Sequence, residues 1–426
     1  MKNLILLILF ITGSHLLRAQ PNTELPLALV SPRLTEKEIT VGGDNADIHG
    51  FTNESIQYAI DAVAKTGGTV RLTTGIFKIA APIQLKSNVK IIGAGKETVL
   101  KRGKGVQTKY IVDADYGELK LTVENTNGFE PGMKIQVTDR DNSSCWNVST
   151  AYITDILDNT IYIDDYLIRD YRSDREGMVS NASSVIEVIN AENVWITNLT
   201  ADGNRSENYF ADGCNSAGIL IIKSKKVTVD HVHVKDFNGE GISWQITENV
   251  TIKNSEISGC GNTGMHPGSG SPFTVIEHND VHHNDFDGLF ICWRVSKSEV
   301  RNNKFHHNGR FGICTGHKDT DVIFTENHIY NNGGDGVHLR IERESNAPHR
   351  NTFVKNIIEN NGTKNGGYGF SINSPAQDLV LKENIFKSTG KKTQKAAIYI
   401  QSAGIEPTLI QNLMDGHPEG ELIREK

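Results

Sequence analysis

The repeat that decides the fold is clearest in two consecutive stretches, GLFICWRVSKSEVRNNKFHHNGRF at 288–311 and GICTGHKDTDVIFTENHIYNNGGD at 312–335. Each stretch starts at a glycine, enters a short segment of alternating polarity and then reaches a second short segment that ends in asparagines. The opening glycine recurs at 218, 241, 264, 288, 312 and 336, in steps of 23, 23, 24, 24 and 24 residues. A period of this length predicts a solenoid made of stacked coils.

The residues inside each coil predict β-strands. In the segment after each glycine, every second residue is apolar and is expected to point inward, while the residues between them are mixed in type and are expected to face solvent. A second strand follows in each coil. An asparagine column is expected behind it, with hydrogen bonds along the axis from members at Asn279, Asn303, Asn327, Asn356 and Asn384. Helical repeats would need apolar spacings of three and four over ten or more residues, and these segments lack them.

The region before the coils predicts one helix and a small β insertion. Ile56, Ala59, Ile60 and Val63 fall on one helical face, with Thr52 or Asn53 as the N-cap. Such a helix is expected to cover the end of the first coil and protect an open sheet edge. Residues 116–172 break the coil rhythm and are expected to form an inserted β subdomain, which is either inert or one wall of a groove.

This sequence resembles the pectate-lyase-like superfamily. The resemblance is carried by the helix at 55–63, Gly67-Gly68-Thr69-Val70, Gly75-Ile76-Phe77 and Ile91-Ile92-Gly93-Ala94-Gly95, together with the Asn/Gly coils after residue 180. It implies an all-β, right-handed parallel β-helix with an N-terminal capping helix, in a carbohydrate-active protein. The superfamily includes lyases, hydrolases, epimerases and phage tailspikes, so the resemblance is specific for the fold and weak for the reaction.

The first 19 residues are typical of an export signal, and we expect a secreted or periplasmic protein. Lys2 precedes an apolar run from Leu4 to Ile11, and Ala19 stands at a suitable cleavage point before Gln20. The apolar run is too short to cross a bilayer, so we expect no membrane span in the mature chain. Residues 20–43 are then an N-terminal segment, and 44–426 are the β-helix domain.

The net charge and the cysteine content argue against two kinds of function, nucleic-acid binding and zinc binding by the cysteines. The net charge of −7 argues against nucleic acid as a partner, because no basic excess exists for phosphate contacts. The five cysteines are odd in number and include no Cys-x-x-Cys pair, so a zinc site built from them is not expected and their disulfide pairing stays open.

Chemistry-bearing side chains concentrate in the coils from 264 to 343. Coils spaced about 4.8 Å apart would bring their outward side chains to one extended ligand, a polysaccharide or oligosaccharide. The catalytic candidates are His338, Arg340, Lys318, Asp335 and Asp287. The candidates for substrate binding are His266, Phe290, Arg294, His317, Asp319, Glu342 and Arg343.

Two reactions fit this set, and a binding role fits as well. In a lyase, His338 removes the proton beside a uronate carboxylate while Arg340, Lys318 and Arg294 bind that carboxylate, and β-elimination follows. In a hydrolase, two carboxylates from Asp287, Asp319, Asp335 and Glu342 act as acid and base. The crowding of cations on this face of an acidic protein favours the lyase slightly. A non-catalytic carbohydrate-binding β-helix is the third hypothesis.

No cofactor is certain from the sequence. The superfamily resemblance also allows a Lys or Arg base and bound Ca²⁺. No dense string of aspartates marks a Ca²⁺ site, so the metal is left open.

Overall fold

The computed structural model describes residues 37–364, 366–391, 393–401 and 405–425. The expected export signal and most of the N-terminal segment lie outside these residues. No helix among the described residues has both the length and the apolar character needed to cross a membrane.

The chain forms a parallel β-helix, as the coil period predicts. One wall, which we call the groove sheet, has eleven strands that pair only in parallel. Its strands are Ile83–Leu85, Ile186–Ile189, Ala217–Ile222, Glu240–Gln245, Met265–Gly268, Leu289–Phe290, Ile313–Thr315, Val337–Leu339, Phe370–Ile372, Ile398–Ile400 and Leu422–Arg424.

The other walls belong to one sheet of 22 strands, the bent sheet, in which most coils contribute two consecutive strands. One series runs through Lys37–Gly42, Gly68–Leu72, Val89–Ile92, Glu192–Asp202, Lys225–Lys235, Glu248–Lys253, Val275–Glu277, Ser296–Arg301, Thr320–Thr325, Thr352–Val354, Val380–Lys382 and Thr408–Ile410. The other adds Ile48–His49, Gly75–Ile79, Thr98–Arg102, Glu256–Ser258, Asp280–His282, Lys304–His306, His328–Tyr330, Ile357–Glu359, Ile385–Lys387 and Leu413–Asp415.

The inward parity of the strands builds one continuous core. Ile252, Ile276, Val300, Phe324 and Phe353 occupy equivalent positions in successive coils, and each is at most 1% exposed. The rings of Phe324 and Phe353 stack with their centroids 4.2 Å apart. Burial of inward rows of this kind stabilises the stack, because each coil packs mainly against its neighbouring coils.

The predicted asparagine column is confirmed. Asn327 Nδ2 donates to Asn356 Oδ1 at 2.9 Å and to the Val300 carbonyl at 2.8 Å, and its own Oδ1 accepts from the Asn303 backbone and side chain. A second column, which the sequence pattern had not revealed, follows at the next corner. It runs through Asn284, Asn308, Asn332, Asn361 and Gln394 with side-chain distances of 2.9 to 3.1 Å.

The capping helix spans Asn53–Ala64 and is also as predicted. The Thr52 side chain accepts a hydrogen bond from Ser55 N, and Ile56, Ala59, Ile60 and Val63 are fully buried against the first coils. The helix therefore closes one end of the apolar interior.

The insertion forms a separate antiparallel sheet with its own small core. Its six strands are Gln107–Lys109, Lys120–Thr122, Lys134–Thr138, Ser149–Leu157, Thr160–Ile163 and Met178–Asn181. The sheet thus begins before and ends after the range 116–172 expected from the broken rhythm.

Candidate functional site

The outward residues of the groove sheet lie in one row. Strand register aligns Ser243 with His266, then Phe290 with Cys314, Cys314 with His338, His338 with Ser371 and Ser371 with Tyr399. His266 and Phe290 are next to each other because Met265 pairs with Leu289. The ladder expected from the glycine spacing is therefore present.

The upstream part of this row is covered. The loop 203–216, which we call the covering loop, lies over it, and Ser243 Oγ donates to the Gly213 carbonyl at 2.5 Å. His266 is only 5% exposed and has its Nδ1 at 3.5 Å from Glu240 Oε1. Its expected role in substrate binding is not supported by this position, because the ring is buried. The open groove begins at Phe290 and runs to Tyr399, four steps of about 4.8 Å or roughly 19 Å.

His338 stands in the open part of the row and is held by Asp335. Asp335 Oδ2 lies 2.8 Å from His338 Nδ1, and Asp335 Oδ1 accepts from Tyr368 N at 2.8 Å. The Phe311 ring stacks on the imidazole at a centroid distance of 4.0 Å. A carboxylate at Nδ1 fixes the tautomer that carries a proton there, which leaves Nε2 able to accept a proton.

Aromatic side chains flank this pair on both sides. Phe290 and Phe311 lie upstream, and Tyr368 stacks on Tyr399 downstream at a centroid distance of 4.3 Å. All four are partly exposed. Aromatic planes beside polar groups suit the apolar faces of sugar rings. Of the four, only Phe290 was singled out by sequence, although Phe311 and Tyr368 precede coil glycines just as Asp335 does.

Arg340 is held in place by contacts within the protein. Its guanidinium lies over Phe290 at 4.6 Å, donates to the Ile291 carbonyl at 2.8 Å and is 3.5 Å from Asp319 Oδ2. Gly316 makes room for it, since a Cβ there would approach the guanidinium to 2.7 Å. A fifth of the Arg340 side chain stays exposed, so it still presents positive charge at the groove.

Two of the predicted carboxylates are buried. Asp287 is 0% exposed, accepts from Phe311 N at 3.1 Å and pairs through both oxygens with Arg310. Asp319 is also 0% exposed and accepts from the backbones of Gly316 and Val295; burial raises its pKa to about 6, against the opposing charge of Arg340. The structure does not support the expected roles of Asp287 in catalysis and of Asp319 in substrate binding. Both carboxylates are buried and accept hydrogen bonds from backbone amides at turns.

The remaining candidates form an exposed ledge beyond the ends of the groove-sheet strands. In it, His317 Nδ1 lies 3.2 Å from Glu342 Oε2, and the Trp293 ring is 5.3 Å from the His317 ring. The other members of the ledge are Arg294, Lys318 and Arg343, which are exposed. Among the described residues, no hydrogen bond or ion pair joins the ledge to His338 or Asp335.

The insertion forms one wall of a cleft at the upstream end. Lys134 Nζ reaches Glu187 Oε1 at 3.0 Å and the Asn215 carbonyl at 2.7 Å, and the Tyr152 hydroxyl donates to Glu187 Oε2. Beside them lies a cleft of about 410 Å³ whose lining includes Trp146 and Tyr166. Sequence reasoning missed Glu187 because its coil has Val185 where later coils have glycine, although Glu187 pairs in register with Leu220.

Known proteins share this architecture. A family profile described as rhamnogalacturonase A/epimerase, pectate lyase-like, matches residues 40–266, and one described as right handed beta helix region matches 247–414. The mannuronan C-5 epimerase AlgE4 A-module of Azotobacter vinelandii superposes with a TM-score of 0.57 at 18% identity, covering 87% of this chain and 92% of that one.

Two further solved structures are similar. The AlgE6 A-module of the same organism gives a TM-score of 0.55 at 16% identity over 88% of this chain and 95% of that one. An exopolygalacturonase from Thermotoga maritima gives 0.53 at 17% identity over 87% and 86%. At these identities the likeness concerns the fold. Because the first profile matches more than half of the sequence, the chain belongs to the rhamnogalacturonase A/epimerase, pectate lyase-like family.

Proposed function

We propose that this protein is an exported carbohydrate-active enzyme that acts on a polysaccharide lying along the open groove. Membership of a pectate lyase-like family supports this, as do similar structures whose names refer to mannuronan and polygalacturonic substrates. The roughly 19 Å of open groove, with aromatic rings at Phe290 and Tyr399, suits several consecutive sugar rings.

Within that class we propose a lyase acting on a uronate-containing glycan. The observation that carries this proposal is the 2.8 Å contact between His338 Nδ1 and Asp335 Oδ2. His338 accepts the proton beside the uronate carboxylate at Nε2, and Asp335 stabilises the imidazolium that forms. Arg340 supplies the nearby positive charge that offsets charge building up on the uronate carboxylate. The bond from the neighbouring ring carbon to the glycosidic oxygen then breaks with its electron pair on that oxygen, which takes up a proton from the imidazolium or from water, and a double bond is left in the sugar.

A glycoside hydrolase is the alternative, and the geometry favours it less. Hydrolysis by this route needs two carboxyl groups on opposite sides of one glycosidic bond. Asp287 and Asp319 are both buried, and Asp335 is engaged by His338 and Tyr368 N. Glu342 stays partly exposed but is paired with His317 on the ledge.

The test is an assay of the mature protein on a panel of acidic and neutral polysaccharides, following near-ultraviolet absorbance together with reducing ends. A lyase increases both signals because the unsaturated product absorbs. His338→Ala is expected to lower kcat about a hundredfold or more, and Asp335→Asn to lower it as well. His328→Ala is the matched control, since His328 is a partly exposed histidine on the bent sheet, paired with Glu359.

The other outcomes of this assay favour the other two hypotheses. Reducing ends without absorbance contradict the lyase and favour the hydrolase. Binding without any product supports a non-catalytic carbohydrate-binding protein instead.

A further inference from the structure

The contact between the insertion and the covering loop is organised around Asp212. Its Oδ2 accepts from Cys145 N at 2.9 Å, and its Oδ1 accepts from Cys214 N at 3.0 Å. The Cys145 carbonyl in turn accepts from Asn215 Nδ2 at 3.0 Å. One carboxylate thus holds two cysteines that come from distant parts of the chain.

This arrangement gathers three donor atoms of the kind that bind metals. The two thiol sulfurs and a carboxylate oxygen of Asp212 all lie within 4.8 Å of one another. A tetrahedral zinc ion with bonds of about 2.3 Å to sulfur holds two sulfurs about 3.8 Å apart, which this spacing accommodates. Thiolates select soft or borderline cations such as Zn²⁺ over Ca²⁺ and Mg²⁺.

A second, independent feature of the same corner is a buried carboxylate with one unpartnered oxygen, since Asn262 Nδ2 donates to Glu240 Oε1 at 3.0 Å and no hydrogen bond reaches the other oxygen among the described residues. Glu240 is 4% exposed, and its Oε2 has no hydrogen-bond partner among the described residues. The carboxyl group packs directly on Gly213, between Asp212 and Cys214, so closely that a Cβ on Gly213 would come within 2.2 Å of its atoms. Buried polar atoms in native proteins are normally satisfied by a partner, and a cation satisfies a carboxylate.

We propose that Cys145, Cys214 and Asp212 bind one zinc-class divalent cation, with Glu240 beside it. Binding displaces a proton from each thiol, so two thiolates and one carboxylate face the cation. Since Cys145 belongs to the insertion and the other two residues to the covering loop, the ion joins these two segments. It thereby fixes the closed upstream end of the groove.

The test is a Co²⁺ titration of the full mature protein, kept reduced with a phosphine and free of other metals. We expect one equivalent to produce sulfur-to-cobalt charge-transfer absorbance and the visible bands of a tetrahedral site, and Zn²⁺ to displace it. Cys145→Ser and Cys214→Ser should each remove at least half of the charge-transfer absorbance, and Asp212→Asn should weaken binding at least tenfold. Cys260→Ser is the matched control, because that buried thiol lies in the apolar core of the coils, where it contacts the Ser258 carbonyl.

Stability gives a second readout. Zn²⁺ should raise the Tm of the unmodified protein and of the Cys260→Ser variant, but not of Cys145→Ser, because only a ligand that binds the folded state stabilises it. Circular dichroism of each variant shows whether it is folded. Absence of the charge-transfer band in the reduced protein overturns the proposal. So does a Cys145–Cys214 disulfide-linked peptide in protein prepared without reductant, since the thiols are then already consumed.

Discussion

At the scale of single residues, position in the coil decides what a polar side chain does. Asp287 and Asp335 both precede a coil glycine, yet Asp287 is sealed by Arg310 whereas Asp335 contacts a partly exposed histidine. The difference comes from the coil that follows, which brings Arg310 to one and leaves the other to His338. Because Arg310 lies 23 residues after Asp287, the local sequence around Asp287 gives no sign of that pairing, whereas His338 is only three residues from Asp335.

The downstream aromatic pair gives a prediction about substrate binding. If a sugar ring packs on Tyr399, then Tyr399→Ala should raise KM several-fold while leaving kcat within about twofold, because the lost contact is made equally in the ground and transition states. Steady-state kinetics on the polysaccharide that supports activity measure this. Tyr58→Ala, a change at a tyrosine 71% exposed on the capping helix, is the control. A fall in kcat with unchanged KM would contradict the assignment.

Asn327 gives a prediction about stability. Asn327→Ala removes two donated and two accepted hydrogen bonds, including the one that the Asn303 backbone amide donates to Asn327 Oδ1. We expect a loss of about 2–4 kcal/mol in the free energy of unfolding. Denaturant unfolding measures the loss. Lys304→Ala, an exposed change in the preceding coil, should stay within about 0.5 kcal/mol.

At the scale of the element, consecutive strands of the bent sheet place side chains of the same type on top of one another. His282 lies on His306 at a centroid distance of 4.9 Å, and His283 on His307 at 5.1 Å. Within each coil the two Nδ1 atoms are 2.8 Å apart. Burial, together with the neighbouring histidines, lowers the pKa of both His282 and His307. Glu256 and Asp280 face this group and oppose the effect, since Asp280 contacts His306 at 2.8 Å and Glu256 contacts His282 at 3.5 Å.

This histidine group predicts that stability depends on pH. A histidine whose pKa is lower in the folded state binds its proton more readily when unfolded. The free energy of unfolding is therefore at its full value above the unfolded-state pKa of about 6.5, and it decreases as the pH falls below that pKa. We expect the Tm to fall between about pH 7.5 and pH 5, and to fall less in His307→Asn, where asparagine tolerates the left-handed backbone at φ 53°. An identical pH profile in that variant would refute the assignment.

At the scale of the whole molecule, the solenoid has an interior that must be closed at its end. The helix Asn53–Ala64 does this with side chains such as Ile60, which is 0% exposed. Without it, strand edges and apolar side chains would be open to pairing with another copy.

Ile60→Asp is therefore expected to detach the helix and produce concentration-dependent self-association, measured by sedimentation velocity. Tyr58→Asp, on the outward face of the same helix, should sediment like the unmodified protein. Self-association of both variants, or of neither, would argue against an end-closing role.

The sequence by itself determined the solenoid, its coil length, the inward apolar row, one asparagine column and the capping helix. These features repeat at fixed spacing or depend on neighbours within a few residues, so the pattern of residue types is enough to predict them. It also marked His338 and Asp335 as candidates, but for different reactions, and their direct contact is seen only in the structure.

Only the tertiary structure decided which outward positions are open. His266 is buried beside Glu240 at the closed upstream end, and cross-coil partners bury Asp287 and Asp319. The same packing brings Cys145 of the insertion to Asp212 and Cys214, a contact between segments that have no common period. Burial and charge pairing depend on what packs against a residue, and in this protein those partners come from other coils and from an insertion that interrupts the repeat.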